Sequence, residues 1–234
     1  TVYGAVNLGW GTFSIRDTLA ELLDLPVKAG NDANVAALGE MWKGGGQGCK
    51  NLIAVTLGTG VGGGIIVNGE ILTGAVGAGG EIGHMHVEDN ETERCGCGNT
   101  GCLEEYASAT GVVRLARRAL RSCEDPSVLR NVPEEKLSAK KVFDAVKDGD
   151  DLAVKIAEQF GEYLGKGLGV VASIINPEVI VIGGGVSKAG KILFEYISPY
   201  FYKTVFRGSS DVKFALATLG NDAGIYGAAR LVLE

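Results

Sequence analysis

The chain has 234 residues, with 37 glycines, five prolines, 46 % hydrophobic residues and a formal net charge of −6. No Gly-X-Y period runs through it, which excludes collagen; its apolar content excludes disorder, and its acidic balance argues against a face that binds a phosphate backbone. The longest apolar stretch, Leu168 to Ile182, is broken by Pro177 and Glu178 and falls short of the roughly 18 residues that a membrane span needs. No basic or apolar leader opens the sequence, so a soluble cytoplasmic protein with neither membrane nor nucleic acid as partner is expected.

Nineteen of the 37 glycines fall between Gly44 and Gly111, and elsewhere strand-like and helix-like patterns alternate, as in an α/β fold. Residues 31–42 (NDANVAALGEMW) read as a helix opened by an Asn or Asp cap and stopped by Gly44 to Gly46. Residues 51–57 and 64–72 are β-branched-rich runs separated by a glycine turn. Asn68-Gly69 closes a further hairpin, which predicts three short antiparallel strands. Helices follow over 104–123, over 138–147 with Ser138 as cap, and over Asp151 to Ile175, where Gly161, Gly165, Gly167 and Gly169 permit close packing. The remainder reads as a buried strand (EVIVI), the cluster GGGVS, a helix from about Lys188, a strand near 211–218 and a last helix after Asp222. No internal repeat or flexible linker stands out.

Cys95-x-Cys97-x4-Cys102 lies in a Gly- and Asn-rich loop, with His84 eleven residues upstream of Cys95. Three thiolates and one imidazole complete a tetrahedral zinc site, while three cysteines without a secretion signal make a disulfide awkward. Four protein ligands leave no open position for water, so the zinc would be structural. His86 is the alternative imidazole, but its strand position faces the other way. Cys49 and Cys123 are isolated and read as half-buried residues.

Leu57-Gly58-Thr59-Gly60-Val61-Gly62-Gly63-Gly64 contains a formal G-x-G-x-x-G. A dinucleotide fingerprint must open a helix, and here a strand-like run follows; no Walker loop exists either. What remains is a glycine turn over 58–64 whose N–H groups and Thr59 hydroxyl can face a phosphate, or a plain hairpin rich in glycine. A second cluster, Gly183-Gly184-Gly185, follows a buried strand, where sheets place ligands.

Asp32 either caps the first helix or, held at its N-terminus, takes the proton of a substrate hydroxyl that attacks a γ-phosphoryl group. Glu81, His84 and Glu104 would be gathered by the metal loop into a set of donors and acceptors suited to a polyhydroxylated ligand. Glu104 also reads simply as a solvated first-turn residue.

Together NDAN at 31–34, LGTGVGGG at 57–64, GEIGH at 80–84, CGCGNTGCLE at 95–104 and INPEVIVIGGGVS at 175–187 closely resemble the ROK family of sugar kinases and repressors, its bacterial glucokinases most. SATGVVR at 108–114 and LGNDAGIYGAA at 219–229 extend the resemblance over nearly the whole chain. It implies the ribonuclease H-like fold of actin and hexokinase, with two lobes closing over ATP and sugar. A remnant of the small lobe would occupy 1–32 and the large lobe 33–219, with a C-terminal helix at 220–234 returning to the small lobe. It implies Asp32 as catalytic base, Asn31, Asp32, Glu81, His84 and Glu104 as sugar ligands, and Thr59, Gly60 and Gly183 to Gly185 as nucleotide ligands. His84, Cys95, Cys97 and Cys102 would hold structural zinc, Mg-ATP would be co-substrate, and the protein would be a homodimer. Phosphorylation of glucose at its 6-hydroxyl is the implied activity. A sugar-sensing repressor, or a kinase of N-acetylmannosamine, N-acetylglucosamine or fructose, is the alternative. The family's opening D-x-G-G-T element does not occur in this sequence, so a chain missing roughly 70 to 80 residues, about half a domain, and phosphorylating sugar poorly alone is expected.

Overall fold

The computed structural model describes residues 2–5 and 9–233. Its first part, on which the sequence pattern predicts no element, is a two-stranded antiparallel hairpin, β1 (Val2–Ala5) and β2 (Trp10–Phe13), followed by α1 (Ile15–Leu23). Ser14 caps α1 by accepting from the Asp17 N–H, and no residue of α1 is buried.

The body is a five-stranded mixed sheet in the order β5-β4-β3-β6-β7. β3 (Leu52–Leu57), β4 (Val61–Val67) and β5 (Glu70–Ile71) form the expected antiparallel meander, while β6 (Val179–Gly183) and β7 (Lys213–Leu216) add parallel to β3. A central strand covered on both faces reads as a continuous apolar run, which is why Val179-Ile180-Val181-Ile182 is wholly buried. Its side chains alternate: Ile180 and Ile182 join the larger core, with Ile53, Val55 and Leu57 of β3. Val179 and Val181 join the smaller one, with Leu52 and Ala54.

The larger core is covered by α4 (Ala109–Ser122), α5 (Ala139–Lys147), α6 (Asp151–Ile175) and α7 (Ile192–Thr204). α6 begins and ends where the apolar period predicts, and its glycines do what was expected: Gly161, Gly165 and Gly169 face α7, where an added Cβ would strike Tyr196, Ile197 and Thr204. The smaller core is covered by α2 (Asp32–Lys43), on which α8 (Ala223–Leu233) lies. Gly39 and Gly227 let those two helices approach backbone to backbone.

Three expectations shift. The predicted helix 104–123 is broken at Ser108 into α3 (Glu104–Ala107) and α4, because the Ser108 hydroxyl accepts from the Gly111 N–H and caps a new helix. The glycine turn is only Gly58 to Gly60, since β4 already begins at Val61. Gly62 and Gly64 instead face Ala33 and Ala37, opening room for α2 to lie on the strand. The helix from Lys188 is a 3-10 turn over Val186–Ala189, then α7.

Candidate functional site

Asn31 settles the question of the cap. Its Oδ1 accepts from the N–H groups of Ala33 at 2.9 Å and Asn34 at 3.2 Å, so Asp32 is the first helical residue and not the cap. The exposed Asp32 carboxylate, bonded among the described residues only to the Ala33 N–H next to it at 2.8 Å, stands at the helix N-terminus, where N–H dipoles favour negative charge.

That carboxylate looks into a cleft of about 520 Å³. Gly58 and Gly60 form one wall, Glu104 closes an end, and Gly184 stands with Gly220 and Asn221 on another side. The two glycine clusters of the sequence therefore meet in space. Gly184 has φ +82° and lies against the backbone of Leu57, where an added Cβ would come within 2.6 Å, so both its conformation and its place require glycine. Gly183 and Gly185 line an adjoining cavity of about 480 Å³ that shares Gly184, Gly220 and Asn221 with the first. Thr59 is exposed at the turn tip.

Glu104 joins this cleft to the cysteine loop. One carboxylate oxygen accepts weakly from the Val61 N–H at 3.4 Å; the other is 2.9 Å from the Cys95 thiol and 3.6 Å from His84 Nδ1. The ligand atoms of His84, Cys95, Cys97 and Cys102 all lie within 4.8 Å of one another, with Cys97 and Cys102 sulfurs 3.6 Å apart and His84 Nδ1 3.7 Å from Cys95. Zinc–sulfur bonds of about 2.3 Å place the corners of a tetrahedron at about these separations, so the donor set fits such an ion. The thiols are free, far beyond the roughly 2 Å of a disulfide. Burial pushes the Cys95 thiol well above its ordinary range, opposed by the Cys97 N–H and reinforced by Glu104, so a bound cation is what would ionise it. Gly98 and Gly101, both at positive φ, turn the loop back on itself.

His86 stays outside the cluster, between the Thr100 carbonyl and Asp89. Glu81 is exposed just before the 3-10 turn Ile82–His84, and its side chain makes no hydrogen bond among the described residues. The loop is anchored from behind by Glu91, which is buried and receives Tyr106 Oη at 2.5 Å, Arg114 at 2.8 Å and Arg118 at 3.0 Å. Burial alone would raise its pKa, but Arg118, Tyr106, the Glu93 N–H and Arg114 overcome that and hold it at about 2.

Three site features escaped the sequence reading. Asn221 and Gly220 line both cavities, and Glu40 lines the second. A signal for the first was present: Asn221-Asp222-Ala223 repeats the Asn31-Asp32-Ala33 tripeptide, and each opens one of the two helices that cross beside the cleft.

The ROK family pattern matches residues 1–234. The chain is 47 % identical, over all its length and 71 % of the relative's, to a glucokinase of Halalkalibacterium halodurans. It is 28 % identical over all its length to a xylose repressor of Caldicellulosiruptor bescii, of which it covers 59 %. The crystal structure of a ROK family glucokinase from Streptomyces griseus, in complex with glucose and AMPPNP, superimposes with a TM-score of 0.82 at 35 % identity, covering 99 % of this chain and 76 % of that one. The mixed sheet is thus that of an actin- and hexokinase-type α/β protein, and the chain belongs to the ROK family.

Proposed function

We propose that the protein transfers the γ-phosphoryl group of ATP to the 6-hydroxyl of glucose. The observation that carries this reading is the Asp32 carboxylate, released from capping by Asn31, at the mouth of a cleft walled by two glycine clusters. In that cleft Asp32 accepts the hydroxyl proton as the oxygen attacks. Little basicity is needed, since phosphoryl transfer rests mainly on positioning and charge neutralisation. Backbone N–H groups around Gly58 to Gly60, with the Thr59 hydroxyl, face the phosphates, and Gly183 to Gly185 receive the nucleoside side. Mg²⁺ would bridge the nucleotide phosphates and spread their charge.

On the sugar side, Asn31 Oδ1 serves the helix, while its Nδ2 and the Glu81 carboxylate have no hydrogen-bond partner among the described residues. His84, Cys95, Cys97 and Cys102 would hold zinc, which fixes the loop and, through Nδ1, the His84 ring. His84 Nε2 is then left for a sugar hydroxyl. Cys95, held as a zinc ligand, would no longer donate its thiol proton to Glu104, and that carboxylate oxygen would be left for the sugar. With this reading go a cytoplasmic location and a homodimer, which sizing chromatography tests. Among the described residues no helix is long and apolar enough to cross a membrane.

A repressor needs the sugar contacts but no glycine wall for a nucleotide. An ATP-coupled assay over glucose, fructose, N-acetylglucosamine and N-acetylmannosamine separates the readings. Turnover fastest with glucose and lost in Asp32→Asn is the expected result. Sugar binding without turnover would replace the kinase with a sensor, and faster turnover of another sugar would replace glucose.

A further inference from the structure

Glu40 is a buried acid that the proposed chemistry does not use; only 3 % of it is exposed. It sits in the last turn of α2, where the helix dipole disfavours negative charge, and burying a carboxylate is costly unless its oxygens are satisfied. Its partners are backbone groups. One oxygen accepts from the N–H of Gly45 at 2.7 Å and of Thr218 at 3.1 Å, and the other from the N–H of Leu219 at 3.0 Å.

Two of these donors belong to the segment between β7 and α8, some 180 residues away in sequence. That segment runs on into the 3-10 turn Gly220–Asp222, whose Gly220 and Asn221 line both cavities together with Gly184. At its far end Ala223 is pinned again, its carbonyl against Gly39 one residue before Glu40. Between Ala217, whose N–H donates to the Ile182 carbonyl, and Ala223, the Thr218 and Leu219 N–H groups of the segment that faces the nucleotide side are both held by this one carboxylate.

We propose that Glu40 is a positioning residue for the nucleotide: it clamps the Thr218–Leu219 backbone so that the 220–222 turn holds one wall of the nucleotide cleft, leaving the sugar side untouched. This rests on the kinase reading above. Both α2 ends then serve one reaction, Asp32 at the sugar hydroxyl and Glu40 holding the nucleotide wall.

Glu40→Gln keeps the volume and tests the hydrogen-bond pattern. An amide offers one acceptor oxygen, so whichever way it turns an NH₂ group faces at least one backbone N–H. The expected result is a rise of roughly tenfold in KM for MgATP, with KM for glucose and zinc content within twofold of wild type. Hydrogen exchange at Thr218 and Leu219 should accelerate while exchange at the cysteine loop stays as it was. Glu40→Ala should show the same pattern, larger, and wherever it fails to fold Glu40→Gln alone decides. Unchanged nucleotide KM, or parallel weakening of nucleotide and glucose, with wild type active, overturns the clamp and leaves the kinase reading standing. A wild type that neither turns over nor binds MgAMPPNP overturns both.

Discussion

The cysteine loop and the glycine cleft meet at Glu104, yet they are built by opposite means. From His84 to Cys102 the chain has little regular structure, and side chains converge on it from both sides: four atoms that could hold a metal in front and Glu91 with its arginines behind. The cleft is fixed by backbone, with a strand end, a helix N-terminus and glycines where a side chain would collide. The difference teaches what each can tolerate. A loop held by side chains fails when one donor is removed; a cleft held by backbone fails when an atom is added.

Removing a donor should therefore give the largest effect. Cys102 is buried, and Cys102→Ser is expected to abolish zinc binding, cost on the order of 3–5 kcal/mol and weaken glucose binding, read by metal analysis, melting and calorimetry. Unchanged melting would show that the loop is held without metal. Glu91→Gln attacks the same loop from behind and should cost about 3 kcal/mol at neutral pH, because it leaves Arg114 and Arg118 facing an uncharged amide. Its pH dependence has a defined sign. The folded-state pKa of Glu91, about 2, lies below the ordinary 4.5, so its contribution is full above 4.5 and is lost as pH falls towards 2. The gap between wild type and variant should close over that window in melting curves; a gap independent of pH would mean that Glu91 acts by shape.

Adding an atom should break the other region. Gly184→Ala forces a side chain into positive φ against Leu57 and is expected to cost roughly 2–3 kcal/mol and to weaken MgATP more than glucose. Equal losses of both ligands would erase the distinction between the two walls. Smallest is Asn31→Ala, which removes the α2 cap for about 1 kcal/mol. Its further loss in glucose affinity, with MgATP affinity kept, would place Asn31 on the sugar.

The same contrast decides what could be read in advance. Cysteine spacing carries its chemistry in residue identity, so the clustering of His84, Cys95, Cys97 and Cys102 was legible, as was α6 from its period of 3.6. A run of glycines has no side chain to say why it is there. Residues 58–64 read as one phosphate turn or a plain hairpin, whereas Gly58, Gly60 and Gly62 line the cleft and Gly62 and Gly64 also seat α2. Ser108 was hidden inside a helical period because capping depends on where its hydroxyl points. Glu40 was illegible for a deeper reason: its donors at Thr218 and Leu219 come from a segment that only the parallel pairing of β6 and β7 brings near. No residue of α1 is buried, so pattern had no core-facing stripe to detect there.

The central claim is that the Cys/His loop holds zinc and serves the sugar side, while the glycine clusters serve the nucleotide side. Calorimetry with glucose and with MgAMPPNP, on protein of measured zinc content before and after chelation, tests both halves at once. One zinc per chain, with glucose binding lost on chelation and MgAMPPNP binding retained, is the predicted result. Absence of zinc from the purified protein, or equal loss of both ligands on its removal, would contradict it.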